Sequence, residues 1–181
     1  PAEVDLDTAS RVLEPNQVNR YFIKRQEAQM EHAALSDLPT LTEPQMQKRL
    51  NEIQPVEGQA GFEARQRIYD KAEKAANELR ERRYNDPAGS VGDLPEVKAA
   101  AEAVAANPDD RGAFLGLIQA RVDAQKKVGI PETQISPITK GEAKQMMAPL
   151  RGLEGKSLGD AMEGVIGDLE ERYGPYADAA G

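Results

Sequence analysis

The residues able to do chemistry are few in kind. The chain of 181 residues has one histidine, His32, no cysteine and no tryptophan, against 31 Asp and Glu and 23 Lys and Arg. Structural and catalytic zinc sites draw on three or four His, Cys or carboxylate ligands, so a lone histidine makes none by itself. His32 reads as an ordinary residue near the end of a helix. A Ser-His-Asp arrangement would have to use the same side chain, which leaves nucleophilic catalysis of that type unexpected. Glycosidic cleavage needs a carboxylic acid raised in pKa by burial, set among aromatics that hold a sugar. Here the acids fall on polar helix faces, and aromatics make up only 4% of the chain. The glycine-containing stretches Gly152–Gly155 and Gly159–Gly167 follow no strand and read as helix punctuation rather than phosphate cradles. The pair Met146-Met147 reads as core filler. The expectation is a chain that is not an enzyme and holds no metal or cofactor.

Electrostatics narrows the partners. The net charge is −8, with 13 Lys and Arg against 15 Asp and Glu up to Tyr84, and 10 against 16 after it. Neither part carries the clustered excess of cations that displaces counterions from a phosphate backbone, so nucleic acid is not an expected partner. No apolar run approaches the roughly 20 residues that span a bilayer. The absence of cysteine fits either redox compartment. Starting at Pro1 without a basic and apolar leader, the chain reads as a processed or excised piece of a longer one, although loss of an initiator Met alone gives the same start.

The elements that position these side chains are helices. Only 39% of residues are hydrophobic, many of them alanine, while 30% are charged with both signs interspersed. Such a composition favours helices packed one layer deep, each burying a narrow stripe and completed by a neighbour or partner. Spacing and punctuation predict an all-α array or bundle of six or seven helices, one of them long, with short helices after it and no sheet. Residues 1–14 read as a tether or short helix, 15–58 as an N-terminal helical pair, 59–84 as the long charged helix and 90–178 as a C-terminal helical subdomain.

Within this frame, Thr42 and Gln45 form a predicted capping box, with Pro44 in the first turn. In the long helix Phe62, Tyr69, Ala76 and Arg83 lie seven apart, with Ala72 and Leu79 between them, which is the seam spacing of a coiled-coil-like contact. The pairs Glu63 with Arg67, Asp70 with Lys74 and Glu78 with Arg82 are each placed to add a few tenths of a kcal/mol. Asn85 to Gly89 breaks the helix; Asp93 with Glu96 is read as an acidic capping box, and Asp109 or Asp110 as the next cap. The helix that Gly129 closes carries Phe114, Leu117, Ile118, Arg121, Val122 and Gln125. Thr139 with Glu142 forms another capping box. A last helix from Ser157 places Leu158, Ala161, Met162, Val165, Ile166 and Leu169 on one side. The residues expected to carry helix packing are Phe62, Tyr69, Ala72, Ala76, Leu79, Phe114, Leu117, Ile118, Val165 and Leu169.

The order of phrases carries a resemblance. Glu81-Arg-Arg-Tyr-Asn-Asp-Pro-Ala-Gly, Leu94-Pro-Glu-Val, Asn107-Pro-Asp, Ala124-Gln-Lys-Lys-Val-Gly-Ile-Pro and Thr139-Lys-Gly-Glu-Ala-Lys-Gln-Met-Met-Ala-Pro-Leu follow one another over residues 60–176. Together they resemble the helical region of the large internal virion, or ejection, proteins of tailed bacteriophages, which often carry a lytic transglycosylase domain elsewhere. The resemblance implies a structural role in the virion, in the capsid interior or tail, and delivery to the host envelope to help form a conduit for the genome. It implies other virion proteins or copies of the same chain as partners, with the host envelope met during delivery. It does not bring the enzyme: that family marks its catalytic acid with Glu followed by Ser, and no such dipeptide occurs. The alternatives are a non-catalytic segment flanking a peptidoglycan-cleaving virion enzyme, and a free-standing helical adaptor.

Overall fold

The computed structural model describes residues 14–59, 61–151 and 153–176. Apart from Glu14, the expected tether over 1–14 lies outside them. The described residues form eight α-helices and four 3-10 turns, with no strand, an all-α architecture as expected. The helices are α1 (Pro15–Leu35), α2 (Glu43–Ile53), α3 (Phe62–Asn85), α4 (Pro87–Ser90), α5 (Pro95–Ala106), α6 (Arg111–Lys127), α7 (Lys140–Met146) and α8 (Gly155–Tyr173). By its internal contacts the chain divides into Pro1–Leu38 with Gln47–Ala75, and Pro39–Met46 with Ala76–Gly181. This division cuts through α2 and α3, which the sequence boundaries kept whole. The reason is that each half of α3 finds its own packing partners.

In the first unit, α1 opens with the Glu14 amide donating to the Gln17 side chain (3.1 Å) and Pro15 in its first turn, where a missing N–H costs nothing. The unit buries Ala34, Leu38, Leu50, Ile68 and Ala72. Two ion pairs join α1 to α3, Glu27 with Arg67 (3.5 Å) and Glu31 with Lys71 (2.7 Å). Here the structure corrects an expectation. Arg67 reaches across to α1 rather than to Glu63 on its own helix, and in the second unit Arg82 donates to the Gly89 carbonyl (3.3 Å). Long arginines on a packed helix find partners on neighbouring elements within their reach. The seam also differs: Ile68, not Tyr69, is buried, and the covered series runs Ile68, Ala72, Ala76, Leu79 and Arg83.

In the second unit, α6 is central because two of its faces are covered. Leu117, Ala124 and Val128 pack with Val91, Leu94, Val97 and Ile130, while Ile118 packs with Ile138 and Tyr173. Each large apolar side chain so buried contributes about 1.5–3 kcal/mol. Asp110 caps α6, accepting from the Gly112 (2.8 Å) and Ala113 (3.1 Å) amides, so of the two candidate caps the second is used. At the other end Ile130 donates to the Gln125 carbonyl and Gly129 to the Lys126 carbonyl, both at 3.0 Å, with Gly129 at φ +79°. This is the glycine-closed helix end that was predicted.

Three other helix starts depart from expectation. The Thr42 amide donates to the Gln45 side chain (2.8 Å), but the Thr42 hydroxyl donates to the same oxygen (3.0 Å) rather than capping the helix as an acceptor. Pro95 is the first residue of α5, which makes buried Leu94 the cap residue and leaves Asp93 outside, 4.0 Å from Arg82. The last helix begins at Gly155, two residues before Ser157. The break after α3 is also more than a loop. Asp86 accepts from the Gly89 amide (3.0 Å) and caps α4. A Cβ on Gly89 would lie 2.2 Å from the Asp86 carboxylate, so any larger residue would push this capping side chain aside.

Candidate functional site

Within the first unit, the ion pairs and Arg49, which donates to the Ala33 carbonyl (2.6 Å), hold the helices so that an apolar trough stays open between them. Its apolar walls are Met30, Ala33, Ile53 and Val56, and Arg49, Glu52, Gln54, Gln59 and Arg65 line it as well, around a cavity of about 480 Å³. A second cavity of about 340 Å³, with Ile23 and Ala64, adjoins it through the shared residues Met30 and Arg65. Buried Ala34 and Ile68 also line the first cavity. A trough of this chemistry takes the side chains of an apolar helix face.

Within the second unit, a polar node sits on the covered faces of α6. Arg121 makes a two-pronged pair with Glu142 (2.8 and 2.9 Å) and also donates to the Pro137 carbonyl (3.3 Å). Glu142 accepts from the Thr139 amide (2.7 Å) and donates its own amide to the Thr139 hydroxyl (3.2 Å), the capping box predicted for α7. Gln125, fully buried, donates to the Ser136 carbonyl (2.7 Å) and accepts from the Ser136 amide (2.9 Å), as a neighbouring strand would. Burial raises the Glu142 carboxyl, but the hydrogen bonds from Arg121 and Thr139 outweigh it and hold the pKa below the usual range. The Tyr173 phenol is pushed up by burial and then by the Glu142 charge, and its hydroxyl meets the Met146 sulfur at 3.7 Å. A carboxylate held ionised by an arginine is a clamp, not a proton donor.

The residues predicted to carry packing divide in two. Ala72, Ala76, Leu79, Leu117 and Ile118 are buried, whereas Phe62, Tyr69, Phe114, Val165 and Leu169 are half-buried. Phe114 meets Tyr173 edge to face, with centroids 5.4 Å apart and planes at 68°. Of the six apolar residues assigned to one side of α8, Leu158, Ala161, Val165 and Leu169 turn inward and Met162 and Ile166 stay exposed. Met146 packs beside Tyr173, and Met147 is exposed. Ile68 and Tyr173 stand outside the residues expected to carry packing, although Ile68 is visible in the run 68, 72, 76, 79. Gln125 continues the stripe 114, 117, 118, 121, 122 of α6, and its residue type does not announce that it is fully buried.

His32 is exposed in the last turn of α1. Among the described residues no three His, Cys, Asp or Glu stand close enough to hold a metal ion. The expectation against serine and phosphate chemistry overlooked one phrase. Gly155-Lys156-Ser157-Leu158-Gly159 has the residue spacing of a nucleophile elbow and the Gly-Lys-Ser ending of a phosphate loop. The position five residues before Gly155 is Leu150, where a phosphate loop has glycine, and the phrase forms the first residues of α8, reached from a 3-10 turn rather than a strand. No family model, curated protein or solved structure matches the chain.

Proposed function

We propose that this chain is a structural and assembly segment that works by helix docking, of the kind found in the internal virion, or ejection, proteins of tailed bacteriophages. The observation that carries the reading is the set of large apolar side chains left exposed on helix faces while both units close their own cores. Ile23, Met30, Met162 and Ile166 are among them. Scattered single exposed apolars need no explanation, but pairs one or two turns apart on one helix suit a partner helix. The phage reading is supported by the ordered phrases. Two of them are built features, since Asp86-Pro-Ala-Gly is the cap and tight turn of α4 and Thr139-Lys-Gly-Glu142 is the box that clamps α7 to α6.

On this reading the partners are other virion proteins and copies of the chain, with the host envelope met during delivery. No helix among the described residues is long and apolar enough to cross a membrane, so contact with an envelope falls to assembled faces. The test is mass spectrometry of purified virions before and after genome release. Peptides of this chain are expected in full particles and depleted in emptied ones; full particles without them end the reading.

A further inference from the structure

We propose that the apolar trough of the first unit receives α8 of a second copy of this chain, so that copies join head to tail. The inference rests on the reading of the chain as a helix-docking segment and goes beyond it by naming both faces. The two acids that α1 turns toward α3, Glu27 and Glu31, are engaged by Arg67 and Lys71. What α1 shows around exposed Ile23 is cationic, Arg20 three residues before it and Lys24 just after, and the cation Arg65 stands where the two cavities meet. Glu52, the acid that lines the first cavity, is itself held by Lys48 (3.9 Å) and Arg49 (3.8 Å). The exposed face of α8 is the opposite. Met162 and Ile166 lie one turn apart with the exposed acids Glu163 and Glu170 beside them. Gly159, three residues before Met162, has open space where a Cβ would stand, which lets another backbone come close.

Apolar stripe and apolar trough supply the affinity, and acids against cations fix the orientation and speed the encounter. Pairing either face with its own copy would set like charges together, which disfavours a two-fold dimer. A contact between two different faces propagates, into rings where the rotation closes and filaments where it does not.

The test is sedimentation velocity on the full chain over a concentration series at low and raised salt. The expected result is species that grow beyond the dimer with concentration and shrink as salt screens the charges. Two variants are then compared, Ile23→Asp with Met30→Asp, and Met162→Asp with Ile166→Asp. These side chains are 49%, 37%, 46% and 50% exposed, so helicity by circular dichroism is expected to be kept. Each double variant alone should lose association by about tenfold or more. Mixed, they should form a one-to-one complex that does not grow, because each retains one intact face. Wild-type chain that stays monomeric at several hundred micromolar, or a mixture in which no complex returns, overturns the proposal. Neither outcome touches the assembly reading, which stands or falls on the composition of virions.

Discussion

At the scale of single residues, the second unit depends on polar side chains whose place on the helix is legible in the spacing but whose burial and partners are not. Gln125 presents its amide to both backbone groups of Ser136 at no exposure, so it is the fastening of the loop between α6 and α7. Gln125→Leu keeps the volume and orphans an N–H and a C=O, each worth about 1–3 kcal/mol when buried without a partner. The urea midpoint should fall accordingly, and amide exchange at Ser136 should quicken more than at Leu117. An unchanged midpoint would show that water satisfies the loop. Glu142 gives a pH signature. Burial raises its carboxyl, the Arg121 and Thr139 hydrogen bonds outweigh that, and the folded pKa ends below the unfolded one. The stability it adds is therefore fully present above the unfolded carboxylate pKa and is lost as pH falls through the lower folded value. Glu142→Gln should lower stability at neutral pH and flatten the acid limb of the urea midpoint against pH; a limb as steep as the parent's would reject the clamp.

At the scale of elements, the periodicity located the helices well and their partners poorly. The start of α1 at Pro15, the end of α3 beside Tyr84, the end of α6 before Gly129 and the start of α7 after Thr139 fall within a residue or two of their expected places, because Pro15, Pro87, Gly129 and Thr139 act locally. The seam of α3 was read one residue late at Tyr69. Phe62, Tyr69, Ala76 and Arg83 keep a period of seven, and Ile68, Ala72, Ala76 and Leu79 keep helical spacing too, so the sequence offers both stripes and the neighbours of α3 select the second. The same limit explains α8, where one apolar stripe proved to be part core and part surface. Pairing was illegible for a similar reason: the intrahelical partners foreseen for Arg67 and Arg82 are set aside once Glu27 and the Gly89 carbonyl come within reach. The register can be measured. Ile68→Ala should cost about 2–4 kcal/mol in thermal or urea unfolding, the range for truncating a buried aliphatic side chain. Tyr69→Ala, at a half-buried position, should cost less than half as much, and Leu79→Asp should cost the most because it sets an unpaired charge in the seam. Equal costs for the first two would restore the original spacing.

At the scale of the whole molecule, stability is unevenly held. α6 buries Leu117, Ile118, Val122, Ala124 and Gln125 against several elements, so opening it exposes the centre of the second unit. α1 buries Ala34 outright among its described residues and leaves Ile23 and Met30 to solvent, so opening it forfeits little apolar contact. Local opening free energies follow such differences, from near zero at lightly packed segments to the global value at the best-packed ones. In dilute protein, amide exchange should therefore be slowest in α6 and at least about a hundredfold faster in α1, a gap of roughly 2.7 kcal/mol. Concentration then separates a merely loose helix from a docking face. If copies join through α1 and α8, raising the protein concentration should slow exchange in those two helices and leave α6 unchanged, since ordering by a partner adds only to what the partner covers. Exchange in α1 as slow as in α6 at every concentration would mean that its exposed apolar side chains are incidental, and that the chain completes its packing alone.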